Sequence, residues 1–107
     1  MPPSPLKNLD TSVQELRLQP EHGAFVRTLG HVVTVLGEIP DSPPQGFATA
    51  DMVRLRELAE ETIDAIERRM EAGADDEAAQ QRLAGTIYEI RRRMEAIELW
   101  FRRRESA

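Results

Sequence analysis

Few residues of this chain have types and spacings that could do chemistry, and most of those fail a simple geometric test. His22 and His31 are its two histidines. A helical di-iron site places a Glu three residues before a ligating His, but those positions hold Gln19 and Thr28. No His-x-x-x-His pair exists for zinc, and with no cysteine in the chain, Cys-based zinc sites and disulfides are excluded. Ser4, Ser12, Ser42 and Ser106 lie outside any Gly-x-Ser-x-Gly elbow. Gly23, Gly30 and Gly37 match neither the dinucleotide-binding pattern nor the phosphate-loop pattern. His31 falls on the polar side of its segment and reads as a surface histidine. No catalytic residue, cofactor or metal is therefore expected, and the chain reads as a non-enzyme.

Carboxylates are more plentiful. Glu57, Glu60, Glu61, Asp64, Glu67 and Glu71 crowd one segment, and paired carboxylates do acid–base work when burial separates their pKa values. Most of them fall opposite Met52, Ile63 and Ile66 on a helical projection, which makes them a solvated acidic face. A small helical enzyme or accessory subunit built on this segment is one alternative function. Asp75-Asp76-Glu77 lacks the alternation and the glycine of a calcium loop; an Asp at the start of a helix caps it instead.

The most distinctive feature is a pair of arginine triplets, Arg91-Arg92-Arg93 and Arg102-Arg103-Arg104. Three consecutive residues cover about 200° of a helix, so neither triplet is a one-sided patch. Glu89–Arg93 and Glu98–Arg102 have the i,i+4 order that supports a helix by about 0.2–0.5 kcal/mol each, and Arg at 102–104 complements the negative end of the dipole. A second alternative is a small nucleic-acid-associated regulator using these arginines. The overall balance argues against it: the 107-residue chain has a formal net charge of −5, whereas nucleic-acid binders are basic. The charge is uneven, with 7 basic and 15 acidic residues before position 82 and 7 basic and 4 acidic from there on.

The elements that must position these residues follow from apolar spacing. Residues 1–10 are Pro-rich and read as an extended arm docked through Leu6 and Leu9. Thr11 with Gln14, and Ser12 with Glu15, offer capping boxes for a short helix to about Leu18. Pro20 suits the first turn of the next element. Residues 31–36 are β-branched enough for a strand. The wider 20–37 window instead puts Phe25, Val26, Leu29, Val32, Val33 and Leu36 on one helical stripe of about 140°, with Gly23, Gly30 and Gly37 beside it to let a second helix approach. Residues 38–48, with Pro40, Pro43, Pro44 and Gly46, form a linker.

Met52, Leu55, Ala59, Ile63, Ile66 and Met70 are spaced 3, 4, 4, 3 and 4 apart, which predicts a helix over 49–72 ended by Gly73. Leu83, Ile87, Ile90, Met94, Ile97 and Phe101 are spaced 4, 3, 4, 3 and 4 apart, a heptad seam on a helix over 75–104. Two long helices with a tight turn between them fold back as an antiparallel hairpin. The expected class is all-α: this hairpin, with helix 20–37 packed on it and 1–19 as arm and short helix, as a three-helix bundle or a dimeric four-helix bundle.

The seam leaves Tyr88 and Leu99 together on the far face of the last helix and Trp100 at its side. Tyr, Trp and Arg are the residue types enriched at binding hot spots. Tyr88, Arg91, Arg92, Leu99, Trp100 and Arg103 are therefore the expected interaction surface, for a protein partner and most simply a second copy in a homodimer. Met94, Ile97, Trp100 and Phe101 flanked by arginines also suit a membrane surface, but the seam claims three of the four. No apolar stretch follows the Pro-rich start, so a cytoplasmic location is expected. Function is expected to be that of a non-enzymatic helical interaction protein: an adaptor, inhibitor or regulatory subunit.

Overall fold

Leu6, Leu9, Val13 and Leu16 are spaced 3, 4 and 3 apart. In the computed structural model they form the buried side of a first helix, α1 (Pro5–Leu16). The structure describes residues 5–19 and 21–106; residues 1–4 and the helix start assigned to Pro20 lie outside them. The extended arm expected over residues 1–10 is thus helical from Pro5 onward. Proline's fixed φ suits the first helical turn, so Pro5 opens the helix where the Pro-rich composition suggested none. The two capping boxes do not form, because Thr11 and Ser12 sit inside α1. The Thr11 hydroxyl donates to the Lys7 carbonyl at 3.1 Å instead.

Three more helices follow, α2 (His22–Glu38), α3 (Thr49–Ala72) and α4 (Glu77–Ser106). The β-branched run inside α2 is helical, and Phe25, Leu29, Val32 and Leu36 are its buried stripe. The stripe is narrower than expected, with Val33 half-buried and Val26 exposed at its edge. The start of α3 is capped by Asp51, whose carboxylate accepts the Ala48 N–H at 2.8 Å. Gly73 ends α3 at φ 68°, its N–H donating to the Met70 carbonyl at 3.1 Å. Of the two candidate caps of α4, Asp76 is the one used: its Oδ1 accepts the Ala79 N–H at 2.8 Å.

The chain packs as two stacked hairpins. Asp10 pairs with Arg54 at 3.0 Å and the Gln19 carbonyl accepts from Arg69 at 3.4 Å, so α1 runs parallel to α3. His22 meets Asp75 at the start of α4, and Gly37 lies against Arg93 further along, so α2 runs parallel to α4. Around the bundle the order is α1, α2, α4, α3. The 39–48 linker therefore crosses one end of the bundle diagonally, pinned by Ile39 and Phe47, both buried. The fold is the expected all-α bundle, and its fourth helix comes from the N-terminal segment of the same chain. α1 and α2 join the hairpin in one continuous core.

The presence of α1 also widens the buried face of α3. Leu58, Thr62 and Ala65 are buried beside the expected Met52, Leu55, Ala59 and Ile66, an arc of about 140° at 100° per residue. Thr62 is tolerated there because its hydroxyl donates to the Leu58 carbonyl at 2.7 Å. In the seam, Ile66, Ile90 and Ile97 are fully buried. Ile63 and Ile87 are only half-buried at its edge. The glycine line needs correction too. A side chain at Gly37 would collide with the Arg93 guanidinium, whereas nothing lies within 4 Å of where one would project at Gly23 or Gly30. Close approach is thus confined to one end of α2.

Candidate functional site

α4 is the longest element, with 30 residues, and its length sets the 47 Å long axis of the molecule. α3 covers one side of it and α2 the next. The remaining arc, centred on Tyr88 and Leu99, faces outward. Tyr88 is 64% and Leu99 47% exposed, the two large apolar residues that α4 leaves to solvent. They are eleven positions apart, which places them within about 20° of each other and about 16 Å apart along the helix.

The other expected surface residues divide. Arg91, Arg92 and Arg103 are exposed. The Arg92 guanidinium lies over the Tyr88 ring at 6.0 Å, and Arg103 continues the same face toward the C-terminus. Arg91 turns to the α3 side. Trp100 is the correction: it is half-buried, with ring centroids 5.6 Å from Phe47 and 6.2 Å from Phe101. Phe47 comes from the linker, where no helical periodicity announced it. It takes up the apolar surface that the heptad pattern had left over. Arg104 closes the outer face of the indole at 5.6 Å.

Two grooves flank α4. Between α3 and α4 lies one of about 460 Å³, floored by Ala59, Ile63 and Met94. It is bridged by Arg56, which donates to Glu98 at 2.8 Å. Glu98 thus pairs across the hairpin and not with Arg102, while Glu89–Arg93 forms as expected at 2.8 Å. The second groove, between α2 and α4, holds about 620 Å³, with Leu29, Val33 and Leu83 in its lining and Gly30 and Gly85 on its two sides.

Sequence reasoning missed one polar cluster. Arg69 donates to both oxygens of Asp75, at 3.0 and 3.2 Å. Its guanidinium sits 4.9 Å from the centre of the Phe25 ring. His22 Nδ1 lies 3.3 Å from Asp75 Oδ1, out of hydrogen-bond alignment. A His beside a carboxylate is the arrangement of a general base and its orienting group, and His22 lines the α2/α4 groove. The hydroxyls in that groove are already engaged: Thr86 donates to the Arg82 carbonyl and Thr34 to the Gly30 carbonyl. With Asp75 taken up by Arg69, the cluster ties the α3–α4 turn to the start of α2. The signal for it was an Arg and an Asp six residues apart across a turn, which no motif encodes.

Among the described residues, no group of three His, Asp or Glu converges as a metal site, and no helix is long and apolar enough to cross a membrane. No family model, no curated protein and no solved structure matches this chain. The outer face of α4 is the candidate site. It combines exposed apolar area with a stacked arginine on one face of a long helix.

Proposed function

We propose that this chain is a cytoplasmic, non-enzymatic helical interaction protein, an adaptor, inhibitor or regulatory subunit that binds a protein partner through the outer face of α4. One observation carries the reading: Tyr88 and Leu99 stand exposed on one face of α4, whose other sides pack against α2 and α3. Apolar residues scattered singly on a surface are ordinary. These two share a face with Arg92 and Arg103, and Tyr and Arg are enriched in binding hot spots. A helix face of this kind engages a partner through anchors repeated every three or four residues.

Affinity capture with tagged wild-type chain, run beside Leu99→Glu and Tyr88→Ala, tests it. The expected result is a stoichiometric protein partner held by wild type and lost by at least tenfold in both variants. If captured proteins are the same for all three chains, the α4 face is not the docking surface.

A further inference from the structure

The outer face of α4 is self-complementary, which identifies a partner for it. Consider a two-fold axis crossing α4 between positions 93 and 94, with a second α4 laid antiparallel across it. Position 88 then lies opposite position 99 of the other copy, and position 92 opposite position 95. Tyr88 faces Leu99, and Arg92 faces Glu95, each pair occurring twice by symmetry. All four residues lie within about 60° of one another on the projection, and Tyr88, Arg92, Glu95 and Leu99 are all exposed. Neither Arg92 nor Glu95 forms an ion pair in the chain, among the described residues.

One further feature agrees. The ends of α4 differ in sign, Asp76 and Glu77 at its start and Arg102, Arg103 and Arg104 at its end. In this register the arginines lie level with positions 83–85 of the other copy, about 9 Å along the axis from its Glu77, whereas parallel pairing would stack arginine on arginine. The helix dipoles also oppose in the antiparallel pair.

We infer that the partner of this face is a second copy of the chain, docked antiparallel through α4 in an isologous homodimer with Tyr88 against Leu99 and Arg92 against Glu95. The inference rests on the proposed role of the α4 face and specifies who occupies it.

Charge reversal tests the register on surface positions that leave the fold alone, as circular dichroism can verify. Arg92→Glu sets Glu against Glu95 twice, and Glu95→Arg sets Arg against Arg92 twice, so each variant should weaken the dimer at least tenfold in sedimentation equilibrium. Mixing the two variants should restore association, because each chain then carries one sign at both positions and meets the opposite sign in the other. The double variant R92E/E95R should dimerise by itself. The absence of cysteine makes a second measurement clean. Under mild oxidation a mixture of Tyr88→Cys and Leu99→Cys should cross-link, at least tenfold more than either alone. Like positions lie about 16 Å apart along the axis, beyond the roughly 7 Å that a disulfide spans.

A wild-type chain that is monomeric at 100 μM overturns the inference, and so does a dimer indifferent to both reversals. A monomer that still loses a captured protein on Leu99→Glu sinks the homodimer and spares the proposed function. A dimer that obeys the charge swap while capturing no other protein keeps the α4 face as a docking surface, supports the homodimer, and removes the adaptor, inhibitor or regulatory role.

Discussion

Asp75 shows how much structure one carboxylate can organise. It closes a bidentate pair with Arg69 and stands beside His22, and its side chain is only 6% exposed against 15% for Arg69. Removing one member of a buried pair takes the strongest counter-charge from the other, which for Arg69 keeps only its remaining contacts, the Gln19 carbonyl and the Phe25 ring among them, at a cost of about 3 kcal/mol. Asp75→Ala is therefore expected to lower stability by about that amount in urea denaturation. Replacing Arg69 and Asp75 together by Met and Leu should cost less than the single change. Gly30 makes the opposite case. It is exposed, helical and free of neighbours, so Gly30→Ala should stabilise by about 0.5–1 kcal/mol. A melting temperature lowered by that change would mean that a second helix does approach there. Periodicity alone could not separate Gly30 from Gly37. A helical projection gives a residue's angle and not the tilt of the neighbour that meets it, and only at Gly37 does Arg93 fill the space.

At the scale of elements, what was legible is what a single period encodes. The stripes of α2, α3 and α4 carry the 3.6-residue repeat without interruption, and their ends carry Asp76 and Gly73 in their ordinary capping roles. The same repeat runs through Leu6, Leu9, Val13 and Leu16, but prolines on one side and plausible caps at Thr11 and Ser12 on the other masked it. Those four residues are as buried as the hairpin seam, so α1 is a wall of the core. Leu16→Ala should cost about 2–4 kcal/mol, measured as a shift of the denaturation midpoint with an unchanged slope. A loss below about 0.5 kcal/mol would make α1 a loose appendage. Ile90 is fully buried between α3 and α4. Ile90→Asp puts an unpaired charge there and should leave the chain unfolded at room temperature by circular dichroism. Phe47 marks the limit of such reading: a lone aromatic in a linker has no period, and its site under Trp100 and Phe101 exists only once the bundle has closed.

For the whole molecule the two hairpins share one core, and that has a thermodynamic consequence. All four helices and the linker residues Ile39 and Phe47 contribute to a single buried cluster, so no helix has a core of its own to melt separately. Far-ultraviolet circular dichroism reports helix throughout, while Trp100 reports the end where Phe47 crosses. The two thermal transitions should superimpose, as they do when a small domain unfolds in one step. An earlier fluorescence transition would mean that the linker end opens before the bundle does. Association through α4 adds a second signature. A partner that binds only the folded chain stabilises it by mass action. A homodimer should therefore gain a few degrees of melting temperature for each tenfold rise in protein concentration, given the several degrees per kcal/mol typical of a domain this size. Leu99→Glu removes an exposed anchor and no core contact, so it should melt at a temperature independent of concentration, close to that of the wild type when dilute. Concentration dependence in both chains would place the self-association on another face.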